Sequence, residues 1–546
     1  LLSRYRGRTL CTVCGGTRLR KEANYVKING LSISDLVQLP IDEVLDFFNK
    51  IELSETDLKK SNRIIVEIKN RLSFLCKVGL PYLTLNRKSN TLSGGETQRI
   101  NIATSIGSAL VGSIYVLDEP SVGLHPEDTT KLISILQNLR SIGNTVIIVE
   151  HDEDIIRSAD QIIDLGPGAG TLGGEVVAQG SLNHIIKSKT ITAKYLENQN
   201  EIPIPSKRRI SNRKIVLKGC RENNLKNINI SFPLNSLVCV TGISGSGKTT
   251  LVKKILYPAL LQSKGIYTTK PGQFSSISGN LDDISTIEFI DQNPIGQSSR
   301  SNPVTYIKAY DDIRNLFAKQ SASKQFSFKP KHFSFNVDGG RCDDCKGEGT
   351  IKVEMQFMAD INLICETCKG KRFKKNVLQV TYQNKNIDDI LKMTIDEGYN
   401  FFHENGQNKI ANKLKALIDV GMGYVNLGQS SSTLSGGEAQ RIKLASFILK
   451  GQSAAKTLFI FDEPTTGLHF HDIKKLLNSF NHLISYGHSI IVVEHNIELI
   501  KSSDYIVDLG PYGGIKGGEL IFEGSPEKLV KNKKSLLTKF LKTKLG

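Results

Sequence analysis

One segment leaves this chain little freedom of fold: Gly242-Ile-Ser-Gly-Ser-Gly-Lys248-Thr249, which fits G-x-x-x-x-G-K-[ST]. A loop of this kind works only between the end of a strand and the start of a helix. Both neighbours are present, an apolar run at 237–241 before it and a helix-like run at 250–256 after it. Gly242, Gly245 and Gly247 let successive backbone N–H groups turn inward around phosphate oxygens, and the helix start behind them adds its positive dipole end. Lys248 then reaches the β- and γ-phosphates of ATP and the Thr249 hydroxyl holds Mg²⁺, with Ser244, Ser246 and Thr250 completing the expected lining.

Self-comparison supplies the second constraint. Leu92-Ser-Gly-Gly-Glu-Thr-Gln-Arg-Ile100 returns as Leu434-Ser-Gly-Gly-Glu-Ala-Gln-Arg-Ile442. Leu117-Asp-Glu-Pro-Ser-Val-Gly-Leu-His125 returns as Phe461-Asp-Glu-Pro-Thr-Thr-Gly-Leu-His469, Val149-Glu-His151 as Val493-Glu-His495, and Asp164-Leu-Gly-Pro167 as Asp508-Leu-Gly-Pro511. The last three recur at one separation of 344 residues (117 to 461, 149 to 493, 164 to 508). That period means a duplicated domain, not a solenoid. Only the second half carries a phosphate loop. The chain opens on Leu1 in what reads as mid-domain sequence, so the expectation is a fragment that starts beyond the first half's loop.

The halves divide further by composition. Residues 1–90 read as the remnant of a helical insertion and signature region, with apolar residues at helical spacing through 41–48 and 64–75. Residues 91–196 form the C-terminal lobe of a first nucleotide-binding domain, in which apolar runs ending in Asp118-Glu119 and Glu150-His151 flank a helix-periodic 129–141. Strand, helix, strand in that order predicts a parallel α/β sheet. A polar, Pro-containing linker at 197–212 leads to the phosphate-loop lobe at 213–299. A basic cysteine-bearing insertion at 300–384, a helical signature region at 385–450 and a final lobe at 451–546 follow.

Four apolar residues ending in Asp-Glu downstream of a phosphate loop make a Walker B strand: Asp462 supports Mg²⁺, and Glu463 orients or deprotonates the attacking water. His495, ending the next strand, reports which nucleotide is bound. Gln292 sits where a loop glutamine touches Mg²⁺ and the water, although an ordinary polar loop residue fits the same sequence. Each Ser-Gly-Gly at a helix start is a second anion-binding turn.

The insertion holds Cys342-Asp-Asp-Cys345 and Cys365-Glu-Thr-Cys368, spaced as a C4 Zn²⁺ site. Cys11-Thr-Val-Cys14 is half a site, open to either a metal or a purely structural role. Net charge is +17 with a pI near 9.3, which favours a polyanionic partner, nucleic acid ahead of an anionic membrane. Around the cysteines, cations including Arg300, Lys308, Arg314 and Arg341 interleave with Phe326, Phe328, Phe333, Phe335, Phe357 and Phe373. Cations for phosphates beside rings suit a DNA surface, while most of these phenylalanines serve the module's own core. No stretch has the apolar length to span a bilayer and no opening segment reads as a secretory signal, so a reducing cytoplasm is expected.

Phosphate loop, Leu-Ser-Gly-Gly-Glu-x-Gln-Arg, hydrophobic-Asp-Glu-Pro and Glu-His in this order resemble the ATP-binding-cassette family. The resemblance implies two cassettes meeting head to tail. Lys248, Thr249, Gln292, Asp462, Glu463 and His495 then face Ser93, Gly94 and Gly95 across one complete ATP site. Ser435, Gly436 and Gly437 face Asp118, Glu119 and His151 across a second site without a phosphate loop. With the C4 insertion, Asp291-Gln-Asn-Pro-Ile-Gly296 and Phe333-Ser-Phe-Asn-Val-Asp-Gly-Gly-Arg-Cys342, the resemblance narrows to the damage-sensing cassette ATPases of bacterial nucleotide excision repair. It implies a homodimer on damaged double-stranded DNA, without sequence specificity and without nuclease chemistry of its own. It also implies a partner, the B component of the excinuclease, whose binding region is not in this sequence. Other soluble cassette ATPases, a transporter's ATPase subunit or a ribosome-associated protein, are the alternative; neither accounts for the C4 insertion.

Overall fold

Residues 237–242, 489–493 and 505–510 are runs of Val, Ile and Leu with no polar alternation, the signature of strands covered on both faces. The computed structural model describes residues 11–545 apart from 93, 108–110, 169, 198–201, 292–294, 296–299, 354, 356–360 and 451–454, and there these runs form the centre of a six-stranded sheet. Its order is Thr286–Ile290, Thr457–Asp462, Ser489–Val493, Leu237–Gly242, Tyr505–Gly510, Glu519–Gly524, parallel except for the last pair. The phosphate-loop strand is thus central, next to the strand that ends in Glu494 and His495. A three-stranded antiparallel sheet (Ser276–Gly279, Lys214–Cys220, Ile228–Pro233) packs over the same lobe.

After the loop the chain makes a π-helix, Thr250–Leu256, before an α-helix at Tyr257–Ser263, where the sequence predicts a plain helix. Pro258 explains the difference. It has no N–H for the Lys254 carbonyl four residues back and its ring crowds that carbonyl, so the turn widens. The Lys254 oxygen accepts instead from the Gly272 N–H at 2.8 Å.

The first half repeats the strand pairing in part. Ile114–Asp118 runs parallel to Thr145–Val149, and Ile162–Gly166 antiparallel to Glu175–Gly180, with a bulge at Asp164/Leu165 that matches one at Asp508/Leu509. Among the described residues no strand bridges these two pairs. Helices Ile41–Lys50, Glu55–Lys77 and Pro126–Ser141 bury Val44, Leu72, Leu132 and Leu136 in a core of their own. In the insertion, Phe333, Phe335 and Phe373 are fully buried and join the main core, while the cysteines form a separate cluster. Phe326 is exposed, and Phe357 lies outside the described residues. No helix among the described residues is long and apolar enough to cross a membrane.

Candidate nucleotide site between the two halves

The phosphate loop owes its shape to its glycines. Gly242, Gly245 and Gly247 have φ of +134°, +76° and +106°, a region open to glycine and costly for other residues. A side chain at Gly242 would meet the Leu509 carbonyl at 2.0 Å. Lys248 is buried and donates to the Gly242 and Ile243 carbonyls at 2.8 and 2.9 Å; burial pulls its amine down to about 8, against the pull of the Glu463 carboxylate. Ser246 is fully buried and its hydroxyl has no partner, the condition of a group placed for a phosphate oxygen. Thr249 is exposed, whereas the Thr250 hydroxyl accepts from Asn223 Nδ2 at 3.1 Å and so serves the loop's anchoring.

The residues at the ends of the central strands gather beside this loop. Glu463 sits in the left-handed region at φ +48°, as does its first-half equivalent Glu119 at +45°. Non-glycine residues hold that conformation only where the surroundings enforce it. Burial pushes the Glu463 carboxyl up to about 7, with the Asp462 charge adding to it. Burial likewise raises Asp462. His495, 6% exposed, is pulled well below its usual pKa by burial and by Lys248, so the ring is neutral, and its Nδ1 has no partner. Orphaned Ser246 and His495 beside two acidic groups and a buried lysine fit a Mg²⁺-nucleotide, with Thr249 and Asp462 as the oxygen donors for the ion.

Glu494 is the residue that sequence reasoning undervalued. Its carboxylate accepts from the backbone N–H groups of Thr465, His495 and Asn496 at 2.8, 2.7 and 3.0 Å, tying the loop after the Walker B strand to the histidine. Glu150 makes the same set with Ser121, His151 and Asp152. Gln440, from the signature helix Gly436–Lys450, donates to the Ile290 and Asp462 carbonyls. The repeated Val-Glu-His and Glu-x-Gln-Arg were the available signals.

The first half closes over this site. Gly123 approaches Glu463 so closely that a side chain there would lie 3.0 Å from the carboxylate, and Gly467 stands in the reciprocal relation to Glu119 at 3.2 Å. His125, 1% exposed, lies edge-on to His495 with ring centroids 6.3 Å apart; burial, then the Lys248 charge, pulls it down to about 3. Tyr82 packs on Gly245. Arg99, buried in the signature helix Gly94–Gly107, donates to the Gly95 and Gly79 carbonyls and is felt electrostatically at Lys248. Gly94 and Gly95 start that helix; Ser93 and Gln292 lie outside the described residues. A cavity of ≈ 200 Å³ lies between the halves, lined by Glu119, Gly123, Glu463, Gly467 and His495 among others.

The mirror arrangement lacks its centre. Ser435 caps its helix by accepting from the Glu438 N–H at 3.2 Å, Gly437 abuts the Thr466 carbonyl, and Glu119 pairs with His151 at 3.7 Å. Asp118 ends the strand beside them. No phosphate loop among the described residues faces this group.

In the insertion, the Sγ atoms of Cys342, Cys345, Cys365 and Cys368 lie within 4.8 Å of one another, all buried. Backbone N–H groups, that of Cys368 first, bring the Cys365 thiol down to about 7, while burial pushes Cys368 up to about 12. A set that cannot ionise together unaided is the donor chemistry a divalent cation completes, and four thiols at this spacing fit Zn²⁺. Cys11 is exposed and has no such cluster among the described residues. Of the candidate DNA cations, Arg300 pairs with Glu348 at 3.6 Å, Arg341 with Asp338 at 2.6 Å and Arg314 with Asp311; Lys308 is exposed, in left-handed backbone before helix Ala309–Ala318.

No family model matches the chain. It is 51% identical over 543 residues to the UvrABC system protein A of Clostridium perfringens, covering 99% of this chain and 57% of that protein. The Staphylococcus aureus (strain COL) protein of the same name is 49% identical over 544 residues, with 99% and 57% covered. Among solved structures, UvrA2 from Deinococcus radiodurans superposes with a TM-score of 0.90 at 39% identity, covering 98% of this chain and 66% of that one. This chain, spanning a little over half the length of the curated relatives it matches, belongs to the UvrA family of ATP-binding-cassette proteins.

Proposed function

We propose that this chain is a DNA-binding ATPase that senses damage in nucleotide excision repair, as its UvrABC-system relatives' name suggests. One observation carries the catalytic part. Gly245, Glu463 and His495 of the second half meet Tyr82, Gly123 and His125 of the first, with the Lys248 charge felt at His125, so nucleotide is clamped between two halves of one polypeptide. Glu463, next to the loop and with its carboxyl raised, is the base or water-orienting group; Glu494 positions the neighbouring loops; His495 takes the γ-phosphate. Bound Mg²⁺ would neutralise phosphate charge during transfer. Gly94 and Gly95, at the start of the signature helix, close the site from the first half.

DNA engagement falls to the insertion. Arg341, Arg314 and Arg300 are held by acidic neighbours, so binding exchanges those carboxylates for phosphates, while Lys308 is already exposed. Recognition then depends on how readily damaged duplex deforms, not on base identity. Zn²⁺ on Cys342, Cys345, Cys365 and Cys368 holds the module together. The chain works as a homodimer in the cytoplasm, performs no nuclease chemistry itself, and cooperates with the excinuclease's B component.

The test is ATP-dependent binding to a lesion-bearing duplex against the same duplex undamaged, with zinc measured on the same protein. Preference for the lesion with one zinc per chain supports the reading; equal binding with and without ATP refutes it.

A further inference from the structure

Tyr82 and Tyr424 occupy equivalent places, each fourteen residues before the glutamate of a signature helix, and each hydroxyl donates to that glutamate: Tyr82 to Glu96 at 2.8 Å and Tyr424 to Glu438. Burial raises both phenols far above their ordinary range, so both stay protonated donors. Each ring reaches across to the other half. Tyr424 packs on Gly170, where a side chain would meet its Cβ at 3.3 Å, and Tyr82 packs on the equivalent Gly514 at 2.7 Å.

Around Tyr82 the described contacts go further. The Tyr82 ring also lies against Gly245 of the phosphate loop, 2.6 Å from where a side chain would begin, and 2.7 Å from the corresponding point at Gly513. Asn224 Nδ2 donates to the Gly245 and Gly514 carbonyls, both at 2.9 Å, and the Gly514 N–H donates to the Gly245 carbonyl at 3.0 Å. Phosphate loop, 513–514 turn and Tyr82 ring therefore form one block. The other end of Tyr82 holds Glu96, 6% exposed in the first turn of the helix that begins with Gly94 and Gly95.

We propose that Tyr82 is a trans-acting positioning residue for the composite site, setting the first half's signature helix in register with the second half's phosphate loop so that a γ-phosphate, and not ADP alone, draws the two together. This rests on the reading of ATP clamped between the halves. The ring is rigid and its seat is glycine, so the loop's position is transmitted with little slack. The single hydroxyl–carboxylate hydrogen bond passes it to the helix.

The experiment compares the unaltered chain with Tyr82→Phe, Tyr82→Ala, Glu96→Gln and Tyr424→Phe. It reads affinities for fluorescent ATP-analogue and ADP probes, phosphate release and melting temperature. Tyr82→Phe keeps the ring and is expected to leave ADP affinity within about twofold while lowering both ATP-over-ADP preference and kcat by about fivefold to tenfold, the size of one hydrogen bond. Tyr82→Ala also weakens ADP. Glu96→Gln trades a charge-assisted bond for a neutral one and lowers the preference in the same direction as Tyr82→Phe but by less, while Tyr424→Phe, whose ring faces no described phosphate loop, stays within about twofold of the unaltered chain. An unchanged preference in a normally folded Tyr82→Phe, or an equal loss in Tyr424→Phe, overturns the proposal. If the unaltered chain prefers the ATP analogue but releases no phosphate, the hydrolytic reading fails while Tyr82 is still judged by the preference.

Discussion

Val116 and Ile460 hold the same place in the two halves, the middle of the strand that ends in Asp-Glu, yet Val116 is 68% exposed and Ile460 fully buried. Leu165 and Leu509 differ in the same way, 65% against 1%. An apolar run therefore states what a strand is able to bury, and its neighbours decide whether it does. In the second half, Ile460 and Leu509 share one core cluster with Leu251, Val252 and Ile255 of the helical turn after the phosphate loop and with Ile215, Ile230 and Phe232 of the three-stranded sheet, which cover that face. Val116 and Leu165 have no such cover among the described residues. Even so, Glu119 keeps the left-handed conformation of Glu463 and Glu150 keeps the hydrogen bonds of Glu494. The loops survive because each is packed against the opposite half, through Gly123 on Glu463 and Gly467 on Glu119.

If only one of the two composite sites has a loop to hold phosphate, equivalent substitutions must have unequal effects. Glu463→Gln is expected to lower the rate of phosphate release by about 10²- to 10⁴-fold, the usual worth of a positioned base. Glu119→Gln should change it by less than about threefold, since no phosphate loop among the described residues lies beside Glu119 and it then contributes no transition-state contact. Similar losses in the two variants would break the comparison at its most consequential point.

Stability should show the next largest asymmetry. Ile460→Ala removes a fully buried side chain and should cost about 2–5 kcal/mol by denaturant unfolding, whereas Val116→Ala should cost no more than about 0.5 kcal/mol. A large cost at Val116 would mean that its strand is covered in solution after all.

These contrasts also mark how far the sequence could be read. Local signals were fully legible: the phosphate loop, the C4 spacing and the strand–helix–strand order each depend on residues close in the chain. So was the duplication, whereas the facing of the two halves was only what the resemblance to a cassette family implied. What stayed hidden was long-range. Nothing about Tyr82 announces that it lies on Gly245, and the repeated Gly-Leu-His gives no hint that His125 faces His495 and, reciprocally, His469 faces His151. The π-turn after the loop was hidden too, since it needs both Pro258 and the distant Gly272 N–H.

Titration gives a third, smaller contrast. Glu463 has a folded-state pKa of about 7, above the ordinary 4.5, so its protonated form contributes stability that is complete below pH 4.5 and lost as pH rises through 7. Catalysis by the carboxylate runs the other way. Turnover should fall about tenfold per unit below pH 7 and level off above it, while Glu463→Gln should gain stability relative to the unaltered chain between pH 5 and about 8. A pH-independent rate would show that Glu463 is not titrating in the working site.

The smallest effect concerns how the halves are held. Each half ends in a helix that crosses to the other: Tyr195, in Ile191–Leu196, stacks on Phe470 and lies beside His469, and Phe540, in Thr538–Leu545, lies edge-on to His125. The second of these helices adds charge. Lys544 is 2.8 Å from Glu153 of the first half and 3.6 Å from Glu498 of its own, and Lys539 pairs with Glu127. Lys544 retains a quarter of its side-chain exposure, so solvent screens the interaction and the net contribution should be about 0.5–1 kcal/mol. A double-mutant cycle of Lys544→Ala with Glu153→Ala measures that coupling directly, and raising the salt concentration should shrink it. Coupling that is absent at low salt would assign the helix's hold on the first half to Phe540, its apolar neighbours and the Lys539–Glu127 pair.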